Sequence, residues 1–516
     1  MVSKMTEHPI IGRQLFDVIT SGMYDNPLMI FREYVQNSVD SIDLGMEQRV
    51  ITLADALISI QLNGQDRSIV ITDNGLGLNN KDANLILRSL GCSPKEGTSQ
   101  RGFRGIGRLG GLAYCDELVF ETRSSAEEEV AVISWDRLAF EKLAKETGRF
   151  VSLLETIEFV SAEQFRPALS GDPAHFFKVT LKNVQRFHAD VLMNVKVVYD
   201  YLAQVAPVSY DREKLLYTDL IEEKISASAD YCCYHIMVNN RLVKRPYSDT
   251  FQLSTNHTEC INDVEFFSFK GIDNADIAVG WYAKTSFAAS LPGTLNSRGI
   301  RVRQGNIEIG DEHFLDGTFT ERRFASWQIG EIHILNNRLK PNARRDGFEQ
   351  SPDYECFLEQ ANLLGRHLSS LCRKSSNVRI ARIRVESTVQ KLEQLFATPL
   401  TYLDEEHYEQ AIEQARNALK QVEKAATNGV PEDLEQRYHS LVKAVEERSE
   451  PPVFLEQVLD GRRLRKFDQK KLLKHVAKTV IESYGKSNTA EDILQEIFSS
   501  FTNPKYSELS IAIHSS

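Results

Sequence analysis

The chain has no apolar run approaching the roughly 20 residues that span a bilayer, and its opening stretch, MVSKMTEHPIIGRQLF, lacks the apolar core of a signal peptide. The expectation is a soluble protein of the cytoplasm with no membrane part. There is no CxxC pair and no Cys/His spacing of a zinc site. The seven cysteines (92, 115, 232, 233, 260, 356 and 372) are scattered and odd in number, which fits a reducing compartment. Basic excess is missing too: 61 Lys and Arg stand against 72 Asp and Glu, a net charge of −11. That balance weighs against a dedicated nucleic-acid binder and leaves local basic patches open. Internal repeats and low-complexity tracts are absent. The histidines have no catalytic partners in sequence and are assigned no role. At 516 residues, two to four domains are expected.

What is there begins with helices over residues 10–46, the second interrupted early by DNP and ending near Gly45. Two β-type runs then flank Asn63-Gly64, a hairpin signal. DELVFETRS and HFFKVTLKNV read as further strands, so the first part is α+β. YLAQVAPVSYDREKL (201–215) reads as a linker into a second α+β part, whose strands are YHIMVNNRLVKRPYSD, ADIAVGWYAKTS, GIRVRQGNIEIGD and QIGEIHILN. After residue 375 the chain turns helical. Tyr408, Ile412, Ala415, Leu419, Val422 and Ala426 step by four and three, as do Leu434, Tyr438, Leu441 and Val445 after the TNGVP break. This predicts a helical hairpin.

Three polar motifs follow one another in the first part. FREYVQNSVDSID (31–43) puts Glu33, Asn37 and Asp40 within roughly 60° on one side of a helix. Phe31, Val35, Val39 and Ile42 take the other side. Asp73-x-Gly75-x-Gly77 comes directly after a strand, and Gly102-x-x-Gly105-x-Gly107 follows a polar segment. Each alone reads as a wet helix face, a turn or a loop; in this order they read as a nucleotide site. An aspartate carboxylate such as Asp73 accepts the exocyclic amine of adenine. Gly75 and Gly77 let backbone approach where a side chain would block the base. Gly102, Gly105 and Gly107 offer N–H groups to phosphate oxygens. Asn37 offers an amide oxygen to Mg²⁺, and Glu33, one turn away, is placed to orient or deprotonate a water.

These residues resemble the GHKL ATPase superfamily, and more particularly the heat shock protein 90 chaperones. MIFREYVQNSVDSID is similar to their nucleotide-binding helix, LGCSPKEGT (90–98) to their lid segment, and GFRGIGRLGGLAYCDELVFET to their glycine loop with its following helix and strand. The resemblance implies a GHKL (Bergerat) α/β-sandwich ATPase domain over residues 1–190 with ATP and Mg²⁺ as ligands. Lys95 carries over as a nucleotide contact, and either Thr180 or Lys178 as the site residue of a later strand. APVSYD and VNNRLVKRPYSD resemble the entry to a ribosomal-S5-like transducer domain, placed at 191–375. LKPNARRDGFE (339–349) resembles the catalytic loop of that domain; it offers Arg344 and Arg345, and the family register favours Arg345.

The lid between Thr98 and Gly102 is shorter than in the chaperones, and the methionine they carry after the D-x-G-x-G turn is Leu78 here. Residues 376–516 have no counterpart of their long C-terminal domain and are expected to hold a homodimer. The implied activity is that of an ATP-hydrolysing clamp, with protein clients as possible partners. The alternative is a MutL- or MORC-like clamp acting with nucleic acid in repair or defence. It draws on the basic stretch 461–475, whose plain reading is the solvated face of a helix. SRGIRVRQGN (297–306) reads either as a strand with outward arginines or as a γ-phosphate or partner contact.

Overall fold

The structure is a computed structural model. It describes residues 26–90, 107–145, 152–186, 188–335, 338–342, 344–396, 401–402, 405–425, 432–447 and 453–454, with a few short pieces between 475 and 493. The helix expected before residue 26, the lid with Lys95, Gly102 and Gly105, and the basic stretch 461–475 up to its last residue, His475, lie outside the described residues. The chain divides into two compact units, Met1–Asn377 and Val378–Ser516.

Asn26 Oδ1 accepts the N–H of Leu28, and helix α1 (Met29–Glu47) starts there. Its apolar side, with Phe31, Val35, Val39 and Ile42, is buried in the first core, as the helical spacing requires. Strands β1 (Leu57–Asn63) and β2 (Ser68–Asp73) form the expected hairpin. Asn63 sits opposite Ser68, so the turn takes the four residues 64–67. Helix α2 (Asn80–Arg88) is capped by Asn79, whose side chain accepts the Asp82 N–H. A 3-10 segment, Gly107–Tyr114, leads into β3 (Glu117–Arg123) and β4 (Glu129–Asp136). Helices α3 (Arg137–Lys145) and α4 (Leu153–Val160) follow, the latter entered through a Ser152/Glu155 capping box. Then come β5 (Ser161–Pro167), β6 (Phe176–Lys182), α5 (Val195–Val205), α6 (Thr218–Ser226), β7 (His235–Val238) and β8 (Arg241–Leu242).

One eight-stranded sheet, in the order β5-β4-β3-β6-β2-β1-β7-β8, takes all of these strands. It runs past the boundary expected at residue 190, because β7 adds to β1 in parallel, with Ile58 opposite Ile236. The first third of the stretch read as a linker is helix: α5 buries Leu202, Ala203 and Val205 in the same core as α1.

A hairpin of β9 (Thr250–Ser254) and β10 (His257–Cys260) precedes a second sheet. That sheet is made of β11 (Asp263–Lys270), β12 (Asp276–Lys284), β13 (Gly299–Gln304), β14 (Ile307–Ile309) and β15 (Ile329–Ile334), ordered β11-β12-β15-β13-β14. The first half of α7 (Pro352–Phe396) closes it, burying Phe357, Ala361 and Leu368. Arg301 and Arg303 of β13 point inward, against both readings of that stretch. Arg301 Nη1 meets Glu308 at 2.8 Å, and Arg303 Nε meets Glu331 at 2.8 Å, all four side chains buried.

In the second unit, α8 (Glu405–Ala425) and α9 (Glu432–Glu447) form the expected helical hairpin. Ala415, Leu419 and Val422 pack with Leu434, Tyr438, Leu441 and Val445, and with Val385, Val389 and Leu392 from the end of α7. The heptad-like seam is thus buried within one chain. Overall the fold is α+β with a helical C-terminal region, and among the described residues no helix is long and apolar enough to cross a membrane.

Candidate functional site

Burial along α1 separates its two sides. Nearly every residue from Ile30 to Ile42 is buried, and Glu33, Asn37 and Ser41 form the partly exposed stripe at four-residue spacing. Asp40, expected on this side, is buried. Ser41 extends the stripe by one more step of four, a continuation visible in the sequence that was not read there. Tyr34 pins the helix from its flank: its hydroxyl donates to Arg108 O at 3.0 Å and accepts the Gly111 N–H at 3.2 Å. A Cβ on Gly111 would stand 2.3 Å from that hydroxyl, so the 3-10 segment that starts at Gly107 must carry a glycine there.

Asp73 ends β2 with its side chain on the core face, 2% exposed. Its Oδ1 accepts the Gly75 N–H at 2.9 Å, which folds the chain back in an Asx turn. Gly77 then has φ +64, and a Cβ there would lie 2.0 Å from Arg123 O, so backbone meets backbone with no room for a side chain. At Gly75 a Cβ would come within 2.3 Å of Ser41 Oγ, which places the turn directly against the α1 stripe. Asn74 locks the outer side of the turn, accepting the Leu57 N–H at 2.9 Å and donating to Asp55 O at 2.7 Å.

Register decides the strand residue. Asp73 is opposite Phe177, Ile71 opposite Val179 and Ile69 opposite Leu181, so the odd positions of β6 share the face of Asp73. Thr180 and Lys178 fall on the other face. Lys178 pairs there with Glu121 at 2.5 Å, and Thr180 lies between Val70 and Val119. Neither is brought to Asp73, because a one-residue difference in register turns the side chain to the opposite face. The residue of that segment that does reach the turn is His175, whose Nδ1 lies 3.1 Å from Asn74 O and 2.9 Å from Gly75 O. Both partners only accept, so Nδ1 carries a proton. No sequence signal marked it, since a lone histidine before a strand has no spacing to read.

The loop 339–349 comes to the same place from far along the chain. Arg345 Nε lies 3.6 Å from Glu33 Oε1, with side chains 11% and 14% exposed. Arg32 Nη2 donates to Arg344 O at 2.9 Å and lies 3.9 Å from the same Glu33 oxygen. Asn342 Nδ2 donates to Asp346 at 2.6 Å, and the Gly310 N–H donates to Arg345 O at 2.8 Å, so the loop is held on both sides. The structure therefore sets the Asp73–Gly77 turn against Ser41 at one end of the α1 stripe and Arg345 beside Glu33 at the other, about two helical turns away, with Asn37 between them.

Among the described residues no group of three or more His, Cys, Asp or Glu side chains is arranged to hold a metal. A magnesium ion that takes most of its ligands from phosphate and water needs only one protein oxygen. The partly exposed amide of Asn37, between Glu33 and Ser41 on the stripe, fits that requirement.

Residues 29–165 match the family described as Histidine kinase-, DNA gyrase B-, and HSP90-like ATPase. This part of the chain is a GHKL ATPase domain. Curated relatives are chaperone proteins HtpG. That of Polaromonas sp. (strain JS666) is 26% identical over 167 residues, covering 28% of this chain and 25% of the relative. That of Psychrobacter cryohalolentis is 30% identical over 146 residues, covering 24% and 21%. That of Clostridium perfringens is 29% identical over 122 residues, covering 21% and 19%. The matches span a quarter or less of the length of these relatives.

Proposed function

We propose that this chain, with a GHKL ATPase domain at its start, binds ATP with Mg²⁺ and hydrolyses it to ADP and phosphate, as a clamp of the heat shock protein 90 kind. The observation that carries the reading is the meeting of Glu33 with Arg345, a carboxylate on the domain's helix and an arginine from a distant loop. In this reading the adenine amine donates to Asp73, and the backbone at Gly75 and Gly77 lines the base. Asn37 holds the magnesium ion, which supplies charge neutralisation at the phosphates. Glu33 orients the attacking water and accepts its proton. Arg345 meets the charge that builds on the γ-phosphate. Lys95, Gly102, Gly105 and Gly107 close over the phosphates.

A clamp needs ATP to favour the closed form over the open one; equal affinity for both shifts nothing. The proposal includes a cytoplasmic location, protein partners and two copies held by the C-terminal helices. Because the seam residues are buried inside one chain, a second copy would be met by the outer faces of those helices. Binding and turnover are separable by two variants. Asp73→Asn should bind no ATP by calorimetry while keeping the wild-type circular dichroism. Glu33→Ala should bind ATP normally and hydrolyse it roughly 10²–10⁴-fold more slowly, as for a lost general base. Full ATP affinity in Asp73→Asn would reject the site.

A further inference from the structure

Helix α1 carries more buried polarity than a nucleotide face needs. Arg32, Gln36 and Asp40 follow one another at four-residue spacing and are 3%, 1% and 1% exposed. Gln36 has both amide atoms, Nε2 and Oε1, buried without a hydrogen-bond partner among the described residues, and Arg32 Nε is in the same condition. Native proteins tolerate few such atoms, since each forfeits its hydration and gains nothing in return. The three atoms lie on adjacent turns of one helix. Gln36 stands about 60° round the helix from Glu33, on the side of Arg32. That side meets the Arg344–Arg345 loop, because Arg32 Nη2 donates to Arg344 O.

What such a group binds follows from its chemistry. A carboxamide presents a donor and an acceptor together, and Arg32 Nε adds a donor. An anion would use the donors alone and leave Oε1 facing negative charge. A water meets an acceptor and a donor at once, here Gln36 Oε1 and Arg32 Nε, as buried waters do for polar groups without protein partners. We propose that Gln36 holds the water that Glu33 activates. The inference rests on the ATPase reading above. Gln36 Oε1 and Glu33 accept the two hydrogens of this water, Arg32 Nε donates to one lone pair, and the other lone pair is left for phosphorus. As the water oxygen bonds to Pγ, the bond from Pγ to the bridging oxygen breaks. ADP leaves with that electron pair, and Glu33 receives the proton.

The competing account is that Gln36 is an unmatched side chain and nothing more. The two differ in what an apolar residue of similar length does. Gln36→Met removes the unmatched amide, so on either account the melting temperature holds or rises. Only a water-holding Gln36 makes the rate fall at the same time. The experiment uses the full chain. ATP affinity by calorimetry, single-turnover hydrolysis and thermal melting are measured on wild type, Gln36→Met and Gln36→Asn, which keeps an amide one methylene short. Expected are wild-type ATP affinity in both variants and hydrolysis slowed at least tenfold. A wild-type rate in a folded, ATP-binding Gln36→Met overturns the inference, and should Met fail to fold, a wild-type rate in Gln36→Asn does so. A wild-type chain that binds ATP without turning it over removes the ATPase reading and this inference together.

Discussion

Arg345 reaches Glu33 from a backbone bent to deliver it, with φ +56, a left-handed conformation that side chains other than glycine adopt at some cost. This gives a clean substitution. Arg345→Gly relieves the backbone and deletes the guanidinium, so any lost activity belongs to the side chain. We expect ATP affinity close to wild type and hydrolysis slowed by roughly 10³-fold, the low end of what an arginine contributes to phosphoryl transfer. Arg345→Lys should recover little, since a point charge does not reproduce the planar fork. Unchanged steady-state turnover in Arg345→Gly would leave the arginine with a structural role alone. The residues that were legible in the sequence are those whose chemistry is local. Asp73, Gly75 and Gly77 make their turn by themselves, and Glu33 and Asn37 share a helix face by spacing alone. His175 and the strand position were not, because a residue's face in a sheet depends on register with neighbours elsewhere in the chain.

The elements divide in the same way. The α1 helix, the β1–β2 hairpin and the helical hairpin follow from periodicity and turn residues within short windows. The edge of the first sheet does not: β7 comes after α5 and α6 and pairs back to β1, and β8 adds to β7, so the strand pattern of YHIMVNNRLVKRPYSD was legible but not the sheet it joins. A chain cut at residue 190 would leave the β1 edge unpaired, and the first sheet is complete only past Leu242. The seam shows the limit of periodicity from the other side. Its spacing told that Leu419 is buried but not whether the partner is another helix of the same chain or a second copy. Leu419 belongs to one buried cluster with Leu434, Leu441 and Val445 of its own chain. Leu419→Ala should therefore destabilise the helical unit by about 2–5 kcal/mol, as for buried leucines elsewhere. Urea melts followed by circular dichroism measure this, and light scattering of the same variant should return the wild-type mass. A halved mass would put the seam between copies.

At the scale of the whole molecule, the acidic excess hides a cluster of opposite character. Glu331 is buried with Arg245 and Arg303 paired to it, Tyr210 and Tyr247 donating at 2.6 Å and 2.9 Å, and His333 Nε2 at 3.0 Å. Arg303 also donates to Gln204 O at the end of α5 and Arg245 to Val208 O, so the cluster ties the two sheets' surroundings together. The composition gave no sign of it, since SRGIRVRQGN looks like a surface strand until Glu308 and Glu331 are folded against it. Burial, opposed by the carboxylate of Glu331 and reinforced by the two arginines, holds His333 down to about 4 from an ordinary 6.5. The arginines hold Glu331 well below its ordinary 4.5 against the opposing effect of burial. The signs follow from proton counting. Between pH 6.5 and about 4 the unfolded chain takes a proton at residue 333 and the folded chain does not, so stability is lost as pH falls through that window. Below 4.5 Glu331 adds a second loss, because only the unfolded carboxylate is being protonated. His333→Gln keeps a donor for Glu331 and removes the titration. Urea midpoints measured from pH 7 to pH 4.5 should therefore fall less steeply in His333→Gln than in the wild type, the two curves separating below about 6.5. Parallel curves would mean that His333 takes up its proton in the folded chain as readily as in the unfolded one, and that the cluster does not oppose a further positive charge.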